Sequence, residues 1–199
     1  MSLELERLRK MVEECRKCPL WRNRTKAVFG EGPLNANIML IGLGPGYNED
    51  KEGRPFVGAA GKFLNKLLDS VGLKREDVYI TNVVKCYLPE NKATDEEIKA
   101  CTPYLDKQIE LIDPEYIIGL GNTAAEYLSR KYGFQFTSME KMHGSVIKVS
   151  TISKEVKIIL MYHPAAGLRN PPLRKIIEDD WEKLSHIIYD IRREKNVEN

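Results

Sequence analysis

The chain's four cysteines are Cys15, Cys18, Cys86 and Cys101: a C-x2-C pair, then 67 residues, then two cysteines separated by fourteen. Two thiolates at C-x2-C spacing can grip one metal centre from a single turn of backbone. The other two must arrive from elsewhere in the fold. Four soft thiolates with no histidine nearby favour an iron–sulfur cluster or an all-cysteine zinc site, and spacing alone does not separate the two. The plainer alternative is a metal-free C-x2-C with two further cysteines packed in the core. A disulfide framework is not expected in a reducing compartment.

Other stretches carry chemistry of a different kind. Gly42 to Asp50 (GLGPGYNED) is rich in glycine, which lets backbone approach a ligand closely and leaves N–H groups free to donate. It lacks the Gly-Lys-Ser/Thr ending of a P-loop. Arg54 to Gly58 places Phe56 in a glycine-bearing loop, where the ring could stack on a flat ligand or simply join the core. Asn82 stands near the end of an apolar run and needs partners if buried. Its amide, one acceptor and two donors, complements a pyrimidine edge presenting O4 and N3–H, though an Asn capping a turn is the commoner case. His163, followed by Pro164, can donate to a developing oxyanion. Leu168 and Arg169 are expected at an exposed loop tip before Asn170, Pro171 and Pro172, as an apolar wedge beside a cation that could enter a base stack. Gly119 to Ala124 contains G-x-G-x-x-A but follows the third expected strand and has no acidic ribose partner downstream, so tight strand–helix packing is its reading. His143 and His186 read as packed or solvated residues.

These residues need a frame. Residues 2–14 have helical spacing, with Pro19 closing that helix. Strands are expected at 37–41, 78–84, 116–120 and 156–162, with an edge strand at 146–149. Helices are expected at 59–71, 94–112, 123–132 and 174–193, the second opened by Thr94 and Glu97 as a capping box. Residues 20–36 and 42–58 read as loops. Strands alternating with helices give an α/β class: a three-layer α/β/α sandwich with a mostly parallel sheet, in one domain spanning 1–199. Ligands of such sheets sit past the carboxyl ends of the strands, which is where Gly42, Asn82 and His163 fall.

Composition bounds the rest. Thirty-one basic against 29 acidic residues leave a net charge of +2, which excludes a histone-like carpet of charge and leaves nucleic-acid contact to a local patch. No run approaches the roughly 20 apolar residues of a membrane span. The charged helical start is unlike a signal peptide, so a cytoplasmic monomer is expected.

Taken together and in order, the motifs resemble the family 4 uracil-DNA glycosylases, the iron–sulfur members of their superfamily. The resemblance runs from Cys15 to about Trp181. It is carried by C-x2-C, the glycine loop ending Glu49-Asp50, GRPFVGAAGKFL from Gly53, ITNVVKC from Ile80, Pro89-x-Asn91-Lys92, Cys101 and His163-Pro164-Ala165. It implies a 4Fe–4S cluster on Cys15, Cys18, Cys86 and Cys101. It implies a uracil flipped out of uracil-containing DNA, held by the Gly42, Leu43 and Gly44 backbone, stacked on Phe56, read by Asn82 and contacted by His163. Leu168, Arg169, Lys85 and Lys92 are the expected DNA contacts. The family usually has Glu where this chain has Leu43, so water positioning is assigned to Asn91 and, more weakly, to Glu49 and Asp50. The competing reading that Leu43 raises is a weakened relative that binds damaged or single-stranded nucleic acid without efficient excision.

Overall fold

The computed structural model describes residues 2–197, and side chains for residues 2–191. The expected domain of 1–199 therefore includes residues 1, 198 and 199, which lie outside the described residues. In chain order the elements are α1 (Leu3–Glu13), β1 (Ile38–Gly42), α2 (Tyr47–Glu52), α3 (Ala59–Ser70), β2 (Tyr79–Asn82), α4 (Asp95–Ile112), β3 (Tyr116–Leu120), α5 (Asn122–Tyr132), α6 (Met139–Met142), β4 (Val146–Ser150), β5 (Glu155–Met161), α7 (Pro164–Arg169), α8 (Pro171–Lys183) and α9 (Ser185–Val197). The sheet order is β2–β1–β3–β5–β4, parallel except for the antiparallel edge strand β4. This is the expected α/β architecture.

The apolar strand runs are buried on both faces because the sheet is covered on both. Side chains alternate across a strand, so Met39 and Ile41 of β1 join a core with Leu5, Leu8, Leu105 and Ile109 from α1 and α4. Ile38 and Leu40 join the opposite core, with Phe63, Leu64 and Leu67 of α3 and Trp181 of α8. Those two cores are the spaces between three layers.

Four local expectations are corrected. α1 stops at Glu13, with Glu14 as its cap, well before Pro19, which instead opens a short 3-10 turn. The 42–58 loop contains α2, bracketed by Gly46 and by Gly53 in a left-handed conformation (φ +72°) that a glycine adopts without strain. The Leu168–Arg169 loop tip is the end of α7, and Asn170 to Pro172 start α8: Asn170 Oδ1 accepts from Leu173 N–H at 3.2 Å, and the prolines lack N–H groups a first turn could not use. The closing helix is two helices divided at Leu184, where no proline or glycine marks the break. The Thr94–Glu97 capping box forms as expected.

Candidate active site

Neighbouring strand ends bring the pocket residues together. Gly42 of β1 is in register with Asn82 of β2. A Cβ on Gly42 would lie 2.6 Å from Asn82 Oδ1 and 2.6 Å from Phe56 Cζ, so only a glycine lets the amide and the ring converge there. The Phe56 ring in turn stacks on His163, centroids 5.4 Å apart and planes 26° apart. His163 follows β5, and a Cβ on Gly121 at the neighbouring strand end would stand 3.2 Å from its Cβ. Gly42, Phe56, Asn82 and His163 thus form one group, although 121 positions separate the first from the last.

Each member is held in a state suited to a ligand. Asn82 is buried, and its Oδ1 is one of three buried side-chain polar atoms among the described residues with no hydrogen-bond partner. A buried acceptor left unpaired costs about 1–3 kcal/mol, which a ligand N–H would recover. His163 caps α7: its Nδ1 accepts from Ala165 N–H at 3.1 Å. Burial pushes its pKa down to about 4, against the opposing pull of the Glu49 carboxylate. The ring is therefore neutral at pH 7 with its proton on Nε2, a donor and not an acid. Phe56 is buried with φ +49°, a left-handed backbone in which few non-glycine residues sit.

The remaining sequence candidates divide. Glu49 Oε1 accepts from Val57 N–H at 3.0 Å and Gly58 N–H at 2.9 Å, tying α2 to the segment after Phe56; Oε2 makes no hydrogen bond among the described residues. Asp50 is buried and its Oδ1 accepts from Thr25 N–H at 2.7 Å, a structural role. Leu43 packs on the apolar core, and Gly44 lies against Leu88, where a Cβ would come within 2.6 Å. Asn91 stands exposed in a left-handed turn (φ +53°), its N–H donating to Leu88 carbonyl and its side chain making no hydrogen bond among the described residues. Lys92, Leu168 and Arg169 are exposed.

Lys85 is a correction. It is 1% exposed and cannot reach a phosphate. Its Nζ donates to Thr81 Oγ1 at 2.6 Å, Asn82 carbonyl at 2.7 Å and Gln108 Oε1 at 2.5 Å. Burial pushes its pKa down to about 7, opposed by Cys101. The ammonium props the end of β2 from inside the core, and the packing of α4, which supplies Gln108, decides that.

The cysteines meet on the other side of that prop. Cys15 follows α1, Cys18 opens the 3-10 turn, Cys86 follows β2 and Cys101 sits in the second turn of α4; all four are free and line one small pocket with Val12, Trp21, Val84 and Tyr104. Arg24 donates to Cys86 Sγ at 3.2 Å, and Lys85 N–H donates to Cys101 Sγ at 3.3 Å. Burial raises the pKa of Cys18 and Cys86 and pushes Cys101 up to about 11. Bare thiolates are unfavourable at those three positions. Among the described residues no group of three or more His, Cys, Asp or Glu side chains is placed to hold a single metal ion.

Sequence reasoning missed Arg24, Gln108 and the pair of Arg75 and Glu31 that lies behind Phe56. It also passed over His143, whose Nδ1 is 2.6 Å from the buried carboxylate of Asp180 and whose ring tilts on Tyr162 at 5.1 Å. No local signal marks these, because each acts on a residue distant in the chain.

Residues 29–185 match the family model of the uracil DNA glycosylase superfamily. The chain is 49% identical over 185 residues, 92% of its length and 84% of the relative's, to a type-4 uracil-DNA glycosylase of Sulfurisphaera tokodaii. It is 47% identical to the type-4 enzyme of Saccharolobus solfataricus over 89% of this chain and 83% of that one. For the type-4 enzyme of Archaeoglobus fulgidus the identity is 45%, over 88% and 89%.

Proposed function

The chain belongs to the uracil DNA glycosylase superfamily, and from that membership we propose that it is a DNA-repair enzyme hydrolysing the N-glycosidic bond of uracil in DNA. The observation that carries the reading is the buried, unpartnered Oδ1 of Asn82 beside the Phe56 ring and the neutral His163. Uracil offers N3–H to that oxygen and O4 to the amide NH2. Its flat ring fits against Phe56. The nucleotide must leave the duplex first, and a mispaired U costs least to extract. As the glycosidic bond breaks, positive charge grows on the sugar and negative charge on uracil O2. His163 Nε2–H is the donor that faces the growing anion; one such donor typically lowers a barrier by about 3 kcal/mol. A neutral imidazole suits this, since it stabilises the anion without needing acidic solution.

Water completes the reaction and leaves an abasic site. Leu43 cannot orient it. Glu49 is the better candidate of the two left, because its Oε1 is fixed by two amides while Oε2 makes no hydrogen bond among the described residues. Asn91 is exposed and, among the described residues, has no bond to orient its side chain.

The four cysteines are the ligand set for a 4Fe–4S cluster. What supports this is a single small pocket with four sulfurs and donors aimed at two of them. The residues that would hold the cluster, Cys15, Cys18, Cys86 and Cys101, line one pocket without converging on a single-ion site among the described residues. When bound, its positive irons would favour the thiolate forms that burial opposes at Cys18, Cys86 and Cys101. When bound it supplies a rigid cross-link among the end of α1, the segment after β2 and α4.

The test is a single-turnover assay on an oligonucleotide with one uracil, alongside the same strand with thymine. Abasic product at U and none at T is expected. Binding of the U strand without abasic product would remove the enzyme reading.

A further inference from the structure

Phe56 does not hold its own position. Its left-handed backbone (φ +49°) is a conformation that strains a phenylalanine and persists only when the surroundings dictate it. Three surroundings do so. The first turn of α3 presses on the Phe56 peptide: a Cβ on Gly61 would lie 1.9 Å from the Phe56 carbonyl oxygen, so any side chain there would displace the segment. Glu49 receives the N–H groups of Val57 and Gly58. The carbonyl side is gripped by one residue, Arg75, on the 3-10 turn between α3 and β2.

The Arg75 guanidinium donates to the Phe56 carbonyl at 2.8 Å and to the Pro55 carbonyl, and lies 3.3 Å from Asn65 Oδ1. Its side chain is only 13% exposed. Nε donates to Glu31 Oε1 at 3.0 Å, and Glu31 is itself gripped by Arg54 through two bonds of 2.8 and 2.9 Å. Glu31 is brought there because its segment pairs with the outer edge of β2, at Ile80. A guanidinium is a rigid fork that can serve two successive carbonyls and a carboxylate at once. A lysine at 75 could not hold both carbonyls in that geometry. The peptide units from 55 to 58 are thus clamped by a cation on their C=O side and an anion on their N–H side, and the ring lies against Gly42 and His163.

We infer that Arg75 is a positioning residue for the base-stacking platform: it fixes Phe56 in its strained backbone so that the ring is in place before a base arrives. The inference rests on reading Phe56 as the surface on which uracil stacks. Without Arg75 the segment can relax out of the left-handed conformation and carry the ring away. The loss should therefore appear in recognition of the everted base and not in contacts with the DNA backbone.

The experiment uses full-length protein with Arg75→Ala and Arg75→Lys. Expected for Arg75→Ala is a fall of about 100-fold in single-turnover excision, the scale of a small misplacement at a reacting centre. Inhibition by free uracil should weaken about tenfold, as befits one lost stacking contact. Affinity for uracil-free DNA should stay within about twofold. Millimolar guanidinium should restore part of the activity, and Arg75→Lys should fall between the two. The His163 imidazole NMR signals, displaced by the ring current of Phe56, should move in Arg75→Ala even without uracil. If Arg75→Ala does not fold, Arg75→Lys carries the same measurements. Unchanged uracil inhibition with unmoved His163 signals in a folded variant overturns the inference. Lost excision with unchanged uracil inhibition and no guanidinium rescue also overturns it, leaving Arg75 a merely structural residue. A wild-type protein that neither excises nor binds uracil would instead sink the uracil reading, while the NMR comparison would still decide whether Arg75 holds Phe56.

Discussion

The cysteine pocket and the base slot meet at Lys85, whose N–H bonds Cys101 Sγ while its Nζ bonds the Asn82 carbonyl. They solve opposite problems. In the cysteine pocket Cys86 and Cys101 already have protein donors, and what is lacking is charge: burial raises the pKa of both thiols, which the proposed cationic centre would oppose. In the base slot nothing ionic is needed. The acceptor of Asn82 is unpartnered, the histidine is neutral and the phenylalanine is strained, so the unmet demand is for one flat, neutral, hydrogen-bonding ring. Under the proposed cluster reading, one region would be filled permanently and would cross-link the fold. The other is built to be empty between turnovers, and its cost to stability is borne by the surrounding structure.

The contrast can be broken experimentally. The largest effect is expected from Cys101→Ala, which should abolish the broad visible absorbance of an iron–sulfur preparation. It should lower Tm by roughly 10 °C or more, since each kcal/mol shifts a domain of this size by about 2–4 °C and a cross-link across three segments is worth several. A colourless wild type carrying zinc would keep the stability contrast and replace the cluster. A coloured wild type whose Cys101→Ala variant melts unchanged would erase it. Next is Asn82→Asp. A carboxylate cannot donate to O4 and leaves a buried charge against the ring, so uracil inhibition should weaken by roughly 10–100-fold while the visible spectrum stays intact. Equal loss of colour in Asn82→Asp would mean the two regions are not separable.

The smallest effect concerns pH. The folded pKa of His163, about 4, lies below the value near 6.5 of an unfolded histidine. The folded state therefore binds fewer protons between those values. The stability associated with the neutral ring is complete above pH 6.5 and is lost as pH falls through 4. Wild-type stability should decline over that window more steeply than that of His163→Gln, measured by urea unfolding. Parallel declines would place the ring in water and remove it from the slot.

The alternation of apolar runs with helical spacing dictated the α/β class, because burial on both faces of a parallel sheet leaves short unbroken apolar runs that can be read directly. The Thr94–Glu97 box was legible for the same reason: its partners are three residues apart. The cysteine count and the glycine, Phe56, Asn82 and His163 segments named the chemistry, since residue type alone limits what a side chain can donate, accept or ligate. Sequence could not say which polar residues would be buried. Lys85 looked like a cation for phosphate, and the packing of α4 put it inside. Arg75 and Arg24 carried no signal in the sequence, and each reaches a partner 19 or 62 positions away. Those roles depend on which elements are neighbours in space and on the solvent they exclude, and no local pattern encodes either.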